Sequence, residues 1–220
     1  MKNEKLKNKD FILKEIGNDG YKDLTAGMEL PLTQNSFYGE WQEALGKKIW
    51  RYVIVEGGVA RAFFYVIKYS LPFGKNYLYI PHGPIFIGEV SEELLVAFKK
   101  FSYELLLGEH SVFLRFDPIW KSDFQVVGRN IFQQHYFKVP SFLYDGGFQP
   151  KYEWAIDLSR GEGEILASMK KVNRYSVKQA EKQGFVVRIL NKDFSYYLDR
   201  FYELVQITAK RDGFSHNSRE

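Results

Sequence analysis

The residues best suited to chemistry lie in four places. Lys170, Arg174, Lys178 and Lys182 recur at four-residue spacing, with Lys171 beside the first. On a helix that spacing draws one basic stripe. Such a stripe can follow a phosphate backbone, with Tyr175 available to stack on a base, or it can simply face solvent. Lys210 and Arg211 close a second helical pattern just before Gly213. They either complement the negative end of that helix, with the glycine as its C-cap, or present a guanidinium fork to a diphosphate. Asp117 ends the strand-like run Phe113-Leu114-Arg115-Phe116-Asp117-Pro118. A carboxylate there can line the crevice of a mixed sheet or cap its own Asp-Pro turn. Finally, Tyr79-Ile80-Pro81-His82-Gly83-Pro84 makes a rigid turn. His82, Gly83 and Pro84 either let backbone approach a ligand closely or serve only to end a strand. His82 titrates in the range of a general base, but the sequence supplies no orienting partner for it.

Composition removes whole classes of function. With no cysteine there is no disulfide, Cys-ligated zinc, iron–sulfur cluster or thiol catalysis. The histidines at 82, 110, 135 and 216 form neither an HExxH nor an HxH pair, so no metal site is expected. The sequence holds no P-loop, dinucleotide glycine fingerprint, GxSxG elbow or kinase motif set. The 31 Lys and Arg against 27 Asp and Glu leave a net charge of +4, which permits an anionic partner without requiring one. No apolar run reaches the ~18 residues of a membrane helix. The first ten residues are charged, without the apolar core of a signal peptide. A cytoplasmic chain is the expectation.

The elements that must position these residues follow from periodicity. Strands are expected over 11–16, 51–55, 59–68, 77–80, 111–116, 152–158 and 185–190. Glu56-Gly57-Gly58 makes a tight hairpin, residues 71–76 form a second turn, and Asn18-Asp19-Gly20 breaks the chain after the first strand. Helices are expected from a Ser36 cap to about Leu45, and from a Ser91 cap to about Leu107 with Gly108 beyond its end. Two more run over 163–183, ending at Gly184, and from an Asp193 cap through Lys210. Residues 120–149 are irregular and aromatic. Hairpins mixed with helices give an α/β or α+β class with a mixed sheet. An apolar triplet followed by a base occurs at 11–14 and again at 185–188, an offset that suggests the opening of a second copy. The expected division is 1–150 for a first domain and 151–220 for the start of a second.

Taken in order, several segments resemble the FemAB/FemX family, the non-ribosomal peptidyltransferases that build peptidoglycan cross-bridges. They are Gln34-Asn35-Ser36-Phe37-Tyr38-Gly39-Glu40-Trp41 through Gly46, Leu71-Pro72-Phe73-Gly74, residues 79–84, Leu114-Arg115-Phe116-Asp117-Pro118, the basic helix over 170–184, and Phe201-Tyr202-Glu203-Leu204 through Gly213. The resemblance implies tandem GNAT-like (acyl-CoA N-acyltransferase-like) domains, the second incomplete. It also implies transfer of an amino acid from aminoacyl-tRNA to the stem-peptide amine of lipid II or UDP-MurNAc-pentapeptide, without metal or cofactor. The protein would be cytoplasmic, with peripheral contact at the inner membrane face. By the same resemblance Arg211 contacts the precursor's phosphates and Asp117 is the catalytic carboxylate. His82, Gly83 and Pro84 turn along the acceptor pocket, and Lys170, Lys171, Arg174 and Lys178 hold tRNA or another anion. The sequence departs from the family in two places. Glu40 and Gln42 stand where members often place a phosphate-binding lysine, the next lysine being Lys47, and His82 replaces a usual arginine. Two alternatives stay open on the residues themselves: a CoA-dependent N-acetyltransferase, which would need a glycine-rich pyrophosphate loop not found here, and a non-catalytic RNA-binding module built on the basic stripe.

Overall fold

The computed structural model describes residues 10–119, 156–192, 194–216 and 219. The chain divides into two compact units, Met1–Glu153 and Trp154–Glu220.

The first unit is built on a six-stranded mixed sheet. Strands β1 (Phe11–Glu15), β2 (Lys48–Glu56), β3 (Val59–Ser70) and β4 (Asn76–Ile80) follow one another as antiparallel neighbours. A two-residue strand β5 (Ile85–Phe86) also pairs antiparallel with β3, and β6 (Leu114–Phe116) lies parallel to β4. Gly57 and Gly58 both take positive φ, 57° and 86°, as the expected β2–β3 hairpin demands. Alternation then sorts the side chains to two faces. On one face Tyr52, Ile54, Phe64, Val66, Leu78 and Ile80 pack against Leu94, Leu95 and Phe98 of helix α3 (Glu92–Gly108). On the other, Val53, Val55, Phe63 and Tyr65 pack against Tyr21 of α1 (Asn18–Thr25). Helix α2 (Ser36–Ala44) docks on that second face. A Cβ at Gly39 would lie 3.1 Å from the Tyr65 ring and 3.2 Å from the Arg51 guanidinium, so glycine sets the distance of α2 from the sheet.

Local chemistry corrects several expectations. The first strand does end before Asn18-Asp19-Gly20, but these residues open a helix, α1, not among those expected: Gly17 is an extended N-cap, Asp19 sits in the first turn, and Tyr21 and Thr25 bury one helical face. Asn35, not Ser36, caps α2 by accepting from the Phe37 N–H. Ser91 does cap α3, accepting from Leu94 N–H, but Gly108 is the last residue of that helix. The strand expected over 111–116 begins at Leu114.

In the second unit the single helix expected over 163–183 is two, α4 (Glu162–Ser168) and α5 (Lys171–Lys182). Met169 and Lys170 are extended between them, with ψ of 153° and 148°. The Arg174 side chain holds this junction by donating to the carbonyls of Ala167, at 3.1 Å, and Met169. Residues 185–190 are not a strand, so the parallel drawn with 11–14 does not extend to structure. A strand needs a ladder partner, and none pairs with this segment among the described residues; Val187 and Ile189 are 95% and 91% exposed. Of the strand expected over 152–158, residues 156–158 carry none and the rest lie outside the described residues, as do 120–149 and the Asp193 cap. Helix α6 (Phe194–Asp212) ends as expected: Gly213 takes φ 71°, and Gly213 and Phe214 both donate to the Ala209 carbonyl.

Candidate functional site

β4 and β5 are two halves of one strand. Both run antiparallel along β3, but the pairing slips by two residues between Tyr79 opposite Ile67 and Ile85 opposite Phe63. The residues at 81–84 bulge out of the sheet, with His82 at φ 50° and a cis peptide between Gly83 and Pro84. This interruption removes ladder partners from β3, and backbone groups buried there must find others.

Gln34 supplies them. Its side chain is fully buried, its Nε2 donates to the Pro81 carbonyl at 2.6 Å, and its Oε1 accepts from the Tyr65 N–H at 3.2 Å. One side-chain amide thus bridges β3 to the bulge as a backbone peptide would. The Tyr21 hydroxyl donates to the Gln34 carbonyl and Oε1, and burial pushes the Tyr21 phenol far above its ordinary range, keeping it a neutral donor. Space for the amide exists because residue 83 is glycine: a Cβ there would meet Gln34 Nε2 and Ile80 Cγ2, each at 2.9 Å. Thr33, next to Gln34, reaches the Pro81 carbonyl at 3.3 Å and His82 Nδ1 at 3.0 Å.

Asp117 closes the turn from the other side. It follows β6, which lies beside β4, and its Oδ2 accepts from the Tyr79 hydroxyl at 2.7 Å while Oδ1 accepts from the His82 N–H at 2.8 Å. Burial pushes its carboxyl above the usual aspartate range, opposed by those two donors and by nearby His82 and Arg115. Arg51 braces α2 from beneath: its side chain is buried, pairs in bidentate fashion with Glu43 at 2.7 and 2.9 Å, and lies 5.5 Å from the Tyr65 ring centre.

The structure therefore brings Asp117, His82, Gly83 and Pro84 together as one clamped turn. Thr33 and Tyr21 join it unforeseen, and Gln34 and Tyr79, quoted in the motifs without a role, hold it in place. Gln34 and Pro81 are 47 residues apart in sequence, and nothing local signals that an amide will replace a ladder bond.

The other candidate residues lie in the second unit. Lys170 precedes α5 as its N-cap, and Arg174 is engaged with carbonyls, so the four-residue stripe is not the one the helix presents. Lys171, Lys178 and Lys182, at helical spacings of seven and four, share one exposed face, with Tyr175 near it. Arg211 is exposed on the last turn of α6 and forks onto the neighbouring Asp212 at 2.7 and 2.9 Å. Among the described residues no His, Asp and Glu group is arranged to hold a metal ion, and no helix is long and apolar enough to cross a membrane.

A mixed sheet with an interrupted strand, helices on both faces and a clamped turn at a parallel strand end defines an α/β fold. The crystal structure of FemX is similar across 94% of this chain and 52% of its own, at 21% identity and a TM-score of 0.69. An acetyltransferase from Clostridium acetobutylicum solved with acetyl-CoA matches 61% of this chain and 94% of its own, at 8% identity and a TM-score of 0.45. Glucosamine-6-phosphate N-acetyltransferase from Arabidopsis thaliana matches 64% of this chain and 99% of its own, at 13% identity and a TM-score of 0.40. No curated protein matches the sequence. The FemAB family model matches residues 39–220, and the chain belongs to that family. It spans about half the length of the FemX chain.

Proposed function

We propose that this chain belongs to an aminoacyltransferase that moves an amino acid from aminoacyl-tRNA to the stem-peptide amine of a peptidoglycan precursor, building an interpeptide bridge. The observation that carries this reading is the FemAB match over 39–220. The acceptor is lipid II or UDP-MurNAc-pentapeptide, and a lipid-linked acceptor brings the protein to the inner membrane face. The reaction is aminolysis: the neutral amine attacks the ester carbonyl, the C–O bond to the tRNA ribose breaks, and the proton lost by the amine ends on the departing oxygen. No cofactor is needed for that step.

Asp117 lines the acceptor pocket and acts chiefly by fixing the turn at 81–84. Both of its oxygens already hold donors, which supports positioning over proton abstraction. Arg211 takes the precursor's phosphates by exchanging Asp212 for them. That exposed pair contributes little stability, so a doubly charged diphosphate displaces it readily. Lys171, Lys178 and Lys182 follow the tRNA backbone, with Lys170 and Arg174 at the junction behind them.

The test is incubation of the full chain with charged tRNAs and either UDP-MurNAc-pentapeptide or lipid II, followed by mass measurement of the acceptor. A gain of one aminoacyl residue that requires charged tRNA is the expected result. Acetyl transfer from acetyl-CoA, or salt-sensitive RNA binding with no acceptor modified, would overturn the reading.

A further inference from the structure

The end of the sheet opposite the clamped turn carries an exposed surface that this chemistry does not use. Strand register brings three segments together there. Lys48 pairs with Lys68, Ser70 pairs with Asn76, and the Val112 N–H donates to the Asn76 carbonyl at 2.9 Å. The C-terminal end of α2, the turn after β3 and the loop before β6 are therefore neighbours. Each offers an apolar side chain to solvent: Leu45 is 47% exposed, Phe73 97% and Val112 54%.

Phe73 is the most informative of the three. Its φ of 61° and ψ of 33° are left-handed, a conformation that suits glycine and that a bulky residue adopts at an energetic cost. Its ring is almost wholly bare, so the cost is not offset by packing. A side chain held out in this way fits a use outside the protein.

Charge selects the partner. Within 45–48, 68–76 and 109–113 there are four lysines and one carboxylate, Glu109. Glu109 takes Lys48 and Lys68, each at 3.0 Å. Lys47, 5.0 Å from the centre of the Tyr69 ring, and Lys75 meet no carboxylate among the described residues. The acids of the adjoining helix are likewise engaged, Glu40 with Lys22 and Glu43 with Arg51. Bare apolar tips on separate turns, ringed by uncompensated cations, match a fluid anionic surface better than a shaped pocket.

We propose that this end of the sheet docks on an anionic lipid bilayer, with Phe73, Leu45 and Val112 entering the headgroup region and Lys47 and Lys75 meeting lipid phosphates. The inference deepens the membrane contact raised above and rests on that reading only for its purpose. Vesicle binding and aminoacyl transfer are separate measurements, so either can fail alone.

The experiment is co-sedimentation of the full chain with vesicles of phosphatidylcholine alone and of phosphatidylcholine mixed equally with phosphatidylglycerol, across a salt series. Binding to the anionic vesicles that weakens with salt is expected. Phe73→Ser should reduce partitioning roughly tenfold, since burial of a phenyl ring is lost. Lys75→Gln should reduce it about fivefold at low salt. Phe73 makes no packing contact to lose, and circular dichroism will show both variants folded. Equal affinity for neutral and anionic vesicles, no vesicle binding, or both variants partitioning like the parent would overturn the proposal.

Discussion

Gln34→Leu removes the amide that bridges the interrupted strand while nearly preserving side-chain size. The Tyr65 N–H, held now at 3.2 Å, is left buried without a partner, and the Pro81 carbonyl loses its 2.6 Å donor and keeps only the Thr33 hydroxyl at 3.3 Å. A stranded group costs about 1–3 kcal/mol and a lost hydrogen bond about 1 kcal/mol, so the substitution should cost about 3 kcal/mol. The Tyr21 hydroxyl keeps the residue-34 carbonyl at 3.0 Å and adds little. Against a total stability of roughly 5–15 kcal/mol, and with a urea slope of about 2 kcal/mol/M, the midpoint should fall by about 1.5 M. Urea unfolding followed by circular dichroism measures the loss, and amide exchange at Tyr65 locates it. Gln34→Glu sharpens the test. A carboxylate can accept from Tyr65 and Tyr21 but has nothing to donate to Pro81 unless protonated, so its folded-state pKa must be raised. That variant should gain stability as pH falls and lose it as pH rises through the raised value. Gly83→Ala should in turn cost less in a Gln34→Ala background than in the parent, because one of its two 2.9 Å conflicts has gone. A Gln34→Leu protein within about 1 kcal/mol of the parent, with Tyr65 exchange unchanged, would refute the bridging argument.

Other expectations follow from the same contacts. Asp117→Ala removes the carboxylate that accepts from the Tyr79 hydroxyl and the His82 N–H and should cost about 1.5–3 kcal/mol, whereas Asp117→Asn keeps an acceptor for His82 and should retain most transfer activity; loss of all transfer in the asparagine variant at unchanged stability would make Asp117 the base instead. Gly39→Ala pushes α2 off the Tyr65 ring and the Arg51 guanidinium and should cost about 1–3 kcal/mol by thermal unfolding. Two carboxylates should respond to acid with opposite sign. The Arg51 guanidinium holds Glu43 below its ordinary value, so its contribution is present above pH 4.5 and lost as pH falls through the folded pKa. Burial raises Asp117, so ionising it costs stability as pH rises past 3.8; Glu43→Gln should flatten the acid limb and Asp117→Asn steepen it. Arg211→Ala should weaken binding of UDP-MurNAc-pentapeptide by about 1.5–3 kcal/mol in calorimetry, and unchanged affinity would remove Arg211 from the phosphate site.

The sequence disclosed what depends on neighbours in the chain. Gly57 and Gly58 announce a hairpin because both turn positions need positive φ, Ser91 announces α3 by capping it, and Gly213 announces the end of α6. It disclosed less where the deciding partner is distant. Asn18-Asp19-Gly20 has the composition of a turn, yet it is helical because Tyr21 finds a buried place against β3 and Gln34. The stretch at 185–190 has strand composition and no strand, because a ladder bond needs a second backbone. Of the site, Asp117 and the turn at 81–84 could be named from sequence, but each carried two readings. The structure adds what neither reading contained, that both Asp117 oxygens hold the turn at 81–84.

The interruption of the β4–β5 strand couples stability to the shape of the turn at 81–84. A continuous strand would have satisfied β3 by itself and left residues 81–84 inside the sheet, with no turn beyond it. Breaking the strand frees that turn but strands buried backbone groups, and Gln34, Thr33 and Asp117 satisfy those groups with side chains drawn from two separate places in the chain. The residues that restore the lost hydrogen bonds are thus the ones that fix His82 and Gly83 in place. A variant of any of them should change stability and acceptor binding together, whereas Arg211→Ala, on an exposed helix end, should change binding alone. A Gln34 or Asp117 variant that lost acceptor affinity with full stability would break this coupling and give its side chain a direct part in the pocket.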